Sequence, residues 1–420
     1  MPVYNDGMPS SFIHPDWDVV IAGGGPAGFF AAIRCAELKP RLRVLILEKA
    51  RQTLGKVLIS GGGRCNVTHA CFEPARLVTY YPRGAAELRG AFTRFQAADT
   101  VDWFEERGVK LKTEADGRMF PVTDSSETIA ACLRESAERA GVRVQTGMNV
   151  RSVEKISNGG FRLTVQQGAD VFPLHASKLL IATGSDANTR ETIRSLGHSL
   201  EEPVPSLFTF HIKDKRIEGL AGISVESVTL TMDSITQTGP LLITHWGLSG
   251  PVVLRVSAWG ARILHARKYQ APLHINWLGN YKLDQAVGVL QKHKDWPGNA
   301  RKKVAAEPAF TQLPLRLWKQ LTQFVGEKNW ADVSKAELRT LASELTAGEF
   351  LIEGKGQFKE EFVTCGGVKL NEVDFKSMQS RLVENLFFAG EVLNIDGLTG
   401  GFNFQSAWTT GWLAGNGLSS

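Results

Sequence analysis

The chain has 420 residues, a net charge of +5 and five cysteines. That length holds two or three domains around a sizeable core, and an odd number of cysteines without a C-x-x-C pair argues against a disulfide scaffold and a structural zinc site. No apolar run nears the roughly 20 residues of a membrane span, and the charges are interspersed, which weighs against nucleic-acid binding.

The opening stretch, MPVYNDGMPSSFIHPDWD, has neither a basic n-region nor an apolar h-region, so it reads as a loose lead-in rather than a secretion signal. Together with the unpaired cysteines it suggests a cytoplasmic protein. Next comes VVIAGGGPAGFFAAI, in which an apolar strand meets Gly23-x-Gly25-x-x-Gly28 and then a helical pattern. The first glycine permits a tight turn, the second lets backbone approach a pyrophosphate, and the third lets helix and strand pack closely. The helix start offers unpaired N–H groups to the phosphates. The following strand, LRVLILEK, ends in Glu48, twenty residues after Gly28. A carboxylate there accepts both ribose hydroxyls of an adenosine and repels a 2′-phosphate. Strand, loop, helix, strand and acid in this order predict a dinucleotide site.

A second glycine cluster, GKVLISGGGRCNVT, follows. Three consecutive glycines are costly to order inside a helix or strand. Backbone N–H groups at Gly62 and Gly63, with Lys56, Arg64 and Asn66, suit a diphosphate and the polar edge of a flavin ring. Helices are expected near AADTVDWFEERG and SSETIAACLRESAERAG, and strands at VRVQTGMNVRSVEKI, GFRLTVQQ and SKLLIATGS, the last running into Gly184. From about Pro205 the segments SLFTFHIKD, ISVESVTLTM and PLLITHWG alternate like antiparallel strands. SGPVVLRVSAWGARILHA reads as a helix with Ser249 as N-cap. A polar helical stretch runs from about Leu283 to Ala347. The tail, NLFFAGEVLNIDGLTGGFNFQSAWTTGWLAG, reads as strand, glycine loop and terminal helix, the helix starting near Gly401 to Asn403. The pattern predicts an α/β chain in which an insert at 205–353 divides a nucleotide-binding domain into residues 1–204 and 354–420.

Taken together, SGGGRCNVT, THWGLSGP, VTCGGV and FFAGEVLNIDGLTGGFNFQSAW closely resemble the HI0933-like flavoproteins, the group that takes in the BaiN- and RdsA-type FAD-dependent oxidoreductases and aminoacetone oxidase. The motifs fall in order from Gly23 to the C-terminus. The resemblance implies a Rossmann-like FAD-binding domain interrupted by an insert with a β-barrel-like part and a helical part, the flavin facing the insert. By position it places Gly23, Gly25, Ala27 and Gly28 around the pyrophosphate, Glu48 on the ribose and the backbone of Val150 against adenine. Arg64, Cys65 and Asn66 match the loop along the cofactor, and Gly390 with Glu391 the turn near the ribityl and phosphates. Gly400, Gly401, Phe402 and Asn403 match the loop and helix start at the pyrimidine side of the ring, where Asn403 would add a donor. Two departures stand out: Asn394 where the family commonly has Asp, and a shortened segment after Gly184.

FAD, held non-covalently, would supply the redox chemistry. Cys65 and Cys71 lack redox spacing, and Cys65 reads as a packing residue. His245 and Trp246, in the insert, are the candidates for substrate contact or acid–base work. No second strand–GxGxxG–helix unit is present in the insert, so NAD(P)H would dock transiently if it is the reductant. The resulting expectation is an FAD-dependent oxidoreductase acting on a small molecule, as an amine-type oxidase or an NAD(P)H-linked reductase, without nucleic-acid or membrane partners. A flavoprotein acting on RNA and a non-catalytic flavin-bound sensor are the alternatives.

Overall fold

A computed structural model describes residues 16–156, 159–356 and 363–420. The lead-in expected at the N-terminus lies outside the described residues as far as residue 15. The chain forms two compact units, one of Met1–Pro203 with Gly366–Ser420 and one of Val204–Cys365.

The first unit is built on a parallel sheet. Its strands are β1 (Trp17–Ala22), β2 (Val44–Glu48), β3 (Arg143–Thr146), β4 (Asp170–Ile181) and β5 (Leu386–Phe388), paired in the order β5-β4-β1-β2-β3. All four pairings along that path are parallel. Val19, Val20, Ile21, Leu45 and Ile46 are fully buried, as continuous Val/Ile/Leu runs must be when both faces of a sheet are covered. The strand order reverses at β1, and such a switch point opens a crevice at the carboxyl ends of the strands. Two antiparallel strands, Met148–Lys155 and Phe161–Gln167, extend the sheet from β4.

Three helices matter most: α1 (Pro26–Leu38), α2 (Gly55–Gly63) and α3 (Phe402–Ser419). Helix α3 starts where its sequence predicts, with Gly401 at φ 94° as N-cap. It lies along α1 through glycines. A Cβ on Gly411 would stand 2.6 Å from the carbonyl oxygen of Ala27, and one on Gly415 2.8 Å from that of Ala31. Both rows advance together, so the helices run parallel. Phe30 of α1 seals the contact against Trp408 (centroids 5.0 Å apart) and Trp103 (4.4 Å).

A buried polar staple fastens the far side of this unit. His198 Nδ1 lies 2.9 Å from Glu372 Oε2 and its Nε2 2.8 Å from Ser380 Oγ. The order Ser–His–Glu suggests a nucleophile triad, but Ser380 Oγ accepts the N–H groups of Leu382 and Val383, and the His198 side chain is wholly inaccessible. Its role is structural.

The second unit carries a seven-stranded antiparallel sheet and the helices Leu283–Asp295, Leu315–Leu321 and Lys335–Ala347. It runs past Glu353, because Gly354–Lys355 pairs with Phe210–His211 and stays within that sheet. Ser249 does not cap a helix. It ends a strand opposite Leu242, Gly250 at φ 96° takes the N-cap position, and Gly260 splits the expected helix into Pro251–Trp259 and Ala261–Ala266. Among the described residues, no helix is long and apolar enough to cross a membrane.

Two outcomes follow from this packing. Gly411→Ala forces a Cβ against backbone that cannot swing aside, and is expected to cost about 1–3 kcal/mol, read as a lower urea midpoint. Burial holds His198 below its ordinary pKa; burial pushes Glu372 the other way, but hydrogen bonds from Ser199 and His198 together outweigh it and hold Glu372 below its own. Both groups are depressed on folding, so their stabilisation is present at high pH and fades as pH falls. The His198 share fades below about pH 6.5 and the Glu372 share only below about 4.5. The urea midpoint should therefore drop from pH 7.5 to 5.5, with a shallower slope in His198→Gln.

Candidate functional site

Each glycine of Gly23-x-Gly25-x-x-Gly28 has a different steric reason. Gly23 turns at φ 113°, and a Cβ there would meet the Ala182 carbonyl oxygen at 2.4 Å. A Cβ on Gly28 would stand 2.1 Å from the Gly23 carbonyl oxygen. A Cβ on Gly25 would meet nothing within 4 Å. The first and third positions are closed by the protein's own backbone, and the middle one is open to a ligand. Gly25 also caps α1, Pro26 opens it, and no side chain caps its free N–H groups. That is an anion site by construction.

Glu48 is set before any ligand arrives. Its Oε2 accepts the Gly24 N–H at 2.8 Å and its Oε1 the Ala50 N–H at 2.8 Å, so the carboxylate spans the glycine turn and the end of β2. Val150 lies on the strand that follows Gly147, whose N–H donates to the Ala50 carbonyl.

The second cluster begins as a helical turn, α2, and then leaves helical geometry. Gly61, Gly62 and Gly63 have φ of 58°, 69° and 83°, followed by Cys65 at 60°. Left-handed backbone of this kind requires glycine at most positions. Nothing lies within 4 Å of a Cβ on Gly62 or Gly63, and both residues are exposed. The Cys65 thiol is buried and pushed up to about 12 by desolvation, which makes it an inert packing group. Arg64 is turned to Glu114 (2.7 Å) and Asp124 (3.5 Å) and lies 4.0 Å over the Phe120 ring.

Residues far apart in sequence meet here. Lys56 Nζ pairs with Glu391 Oε2 at 2.6 Å, and that oxygen is 3.6 Å from where a Cβ on Gly184 would stand. Gly390, at φ 77°, donates its N–H to Thr410 Oγ1 and leaves room for the Ala27 methyl. Oriented to satisfy its surroundings, the Asn66 amide donates to the carbonyls of Thr68 (3.0 Å) and Met119 (3.3 Å) and accepts the Gly401 N–H (3.0 Å). It therefore ties the second cluster to the start of α3.

The loop before α3 is fixed by residues for which the sequence carries no signal. Buried Asp396 pairs with Arg83, the Leu398 N–H donates to the Tyr80 carbonyl, and the Tyr81 hydroxyl donates to the Phe402 carbonyl at 2.6 Å. Asn403 accepts the Gly397 N–H (2.8 Å) and donates to the Gly397 carbonyl (2.9 Å). Its amide shapes the loop, in place of the free donor expected at the ring. Gly400 and Gly401 have φ of 124° and 94°, and no side chain caps α3.

His245 and Trp246 belong to the second unit. They form the turn between strands Ile235–Thr244 and Gly247–Ser249, with His245 exposed.

These features fit FAD. Gly411 is level with Ala27, so α3 begins about eight residues beyond the start of α1, or about 12 Å at 1.5 Å per residue. Two uncapped helix starts face the same way with that offset. One suits a pyrophosphate, and the other suits the electron-accepting end of a ring carried on a five-carbon ribityl chain. Two buried oxygens beside the loops, Thr183 Oγ1 and Asn394 Oδ1, have no partner among the described residues. Glu48 would hold the ribose, Gly25 and the α1 start the phosphates, and Gly62, Gly63, Asn66 and Gly401 would border the ring.

A dinucleotide crevice of this form defines the class, an FAD-dependent oxidoreductase, and known proteins agree. Residues 17–417 match the HI0933-like protein Rossmann domain, and the chain belongs to that family. It is 29% identical to a ribosomal RNA dihydrouridine synthase of Escherichia coli, over 96% of this chain and 98% of that one. It is 26% identical to a 3-dehydro-bile acid delta(4,6)-reductase of Clostridium scindens, over 94% and 97%. Among solved structures, a 3-ketosteroid-delta4-(5alpha)-dehydrogenase from Rhodococcus jostii shares the fold, with a TM-score of 0.53, 14% identity and 98% of each chain covered.

Denaturing the purified protein should release FAD. Glu48→Gln replaces a charged double acceptor that is already bound to two N–H groups, and should weaken FAD binding roughly tenfold or more, measured by titrating apoprotein with FAD. Unchanged affinity would remove Glu48 from the ribose.

Proposed function

We propose that the protein is an FAD-dependent reductase that adds hydrogen across a carbon–carbon double bond conjugated to a carbonyl, on a small molecule, with NAD(P)H as the electron source. One observation carries this reading. Two relatives aligned over nearly their whole length, a 3-dehydro-bile acid delta(4,6)-reductase and a ribosomal RNA dihydrouridine synthase, carry names that describe hydrogen added to a carbon–carbon double bond. An amine oxidase has no comparable support.

Bound FAD supplies hydride chemistry. The protein's residues do the rest. Glu48 and the α1 start anchor the distant half of the cofactor, so its binding energy fixes the reactive half in place. The uncapped start of α3 favours negative charge at the ring by about 0.3–2 kcal/mol. The Asn66–Gly401 bond holds that helix start against the second glycine cluster, and the Arg83–Asp396 and Asn403–Gly397 contacts hold the loop leading into it. Lys56 and Glu391 neutralise each other, leaving the charge balance beside Gly184 to the backbone.

The test is a panel run with purified holoprotein. NAD(P)H consumption coupled to loss of a conjugated enone is the expected result. Formation of dihydrouridine in ribosomal RNA, without enone turnover, would keep the chemistry and move the substrate to a nucleic acid. Peroxide release with amines, and no NAD(P)H consumption, would overturn the reading.

A further inference from the structure

Beside the start of α3 stands a titratable ring that the mechanism above does not use. His69 closes the short strand Thr68–His69, which pairs with Arg118–Pro121, and its ring lies flat against Phe402, the first residue of α3 (centroids 4.7 Å apart, 19° between planes). Tyr80 stacks on the same Phe402 at 4.2 Å. Gly117, at φ 86°, makes room for the imidazole, since a Cβ there would meet His69 Cε1 at 2.4 Å. On the other side, a Cβ on Gly400 would stand 3.5 Å from His69 Cδ2. The ring is thus fixed within one residue of the loop assigned to the flavin.

Its two nitrogens differ. Nε2 lies 3.1 Å from the Asp116 carbonyl oxygen, which only accepts, so Nε2 carries the hydrogen. Nδ1 is then a bare lone pair, buried and without a partner among the described residues. The charged groups around the ring are few. Asp116 in the hairpin turn pairs with Arg118 on the strand opposite His69, Arg118 also pairs with Glu114, and Arg76 approaches from helix Pro74–Leu77. Tyr80 offers a ring face, and α3 presents apolar Phe402. Burial lowers the proton affinity of His69, Asp116 raises it and Arg76 lowers it again, so the ring is neutral in the resting protein near pH 7.

We propose that His69 is the proton partner of the flavin site. As the bound cofactor gains two electrons and one proton, His69 Nδ1 takes a second proton from water and sets a positive charge beside the start of α3. The driving force is the negative charge arriving there, since a nearby opposite charge favours the protonated imidazole. His69 acts on the cofactor as a positioning charge. This rests on the FAD reading.

Electrochemical titration of the holoprotein from about pH 5.5 to 8.5 tests it with an artificial electron donor and no substrate. In the wild type, the midpoint potential should fall with pH at two protons per two electrons and then break to one. His69→Phe, which keeps the stack, and His69→Gln, which keeps a donor for Asp116, should show the shallower slope throughout. NMR of the wild type should show His69 titrating at higher pH with reduced than with oxidised cofactor, and this measurement decides the matter if neither variant retains FAD. Equal slopes in wild type and variants, or an unmoved His69 titration, would overturn the assignment. A wild-type protein that takes up no FAD would instead overturn the cofactor reading.

Discussion

The close parallel contact of α1 and α3 governs the rest of the first unit. Gly411 and Gly415 bring two helix backbones to a separation that a single methyl group would break. That contact sets how far α3 reaches beyond α1, and so how far apart the two uncapped helix starts lie. Both ends are positive for the same reason, N–H groups without intrahelical acceptors. That spacing suits a long molecule with phosphates at one end and a chargeable ring at the other. A nucleotide loop alone does not provide it.

The loops at the two helix starts are rigid for different reasons. At α1 the backbone excludes side chains, and Glu48 is committed to two N–H groups. At α3 the loop is held both by its own buried side chains, Leu393, Ile395 and Leu398, and by hydrogen bonds and an ion pair from Asn66, Tyr81, Arg83 and Asn403. A buried ion pair such as Arg83–Asp396 is weak evidence for stability, since desolvation offsets its attraction. Its consequence here is geometric. It fixes Asp396 and the residues that follow, which lead directly into Gly400 and Gly401.

Much of the local structure around the candidate site was legible along the chain. Val19 to Gly28 and Glu48 announce themselves because strand, turn and helix are local, and each glycine answers a local steric demand. The start of α3 was legible for the same reason, as Gly400 and Gly401 cannot extend a helix upstream as well as other residues do. The capping of the helix at Pro251 was misread. Ser249 has the right chemistry for an N-cap, but pairing with Leu242 across the tight turn at His245 and Trp246 claims its backbone for a strand, and Gly250 takes the cap position instead.

By itself the sequence determined the strand–glycine turn–helix unit and the strand that ends in Glu48, because these rest on spacing within a few tens of residues, while the family was legible from motifs spread along nearly the whole chain. Only the tertiary structure decided what Asn403, Arg64, Lys56 and His69 touch. Asn403 looked like a free donor until Gly397 folded back onto it, and Arg64 and Lys56 looked like phosphate cations until Glu114 and Glu391 reached them. His69 looked like nothing until Phe402 closed over its ring. Polar side chains go to the strongest partner within reach, and that is set by how the chain folds back on itself, over six residues for Asn403, fifty for Arg64 and more than three hundred for Lys56.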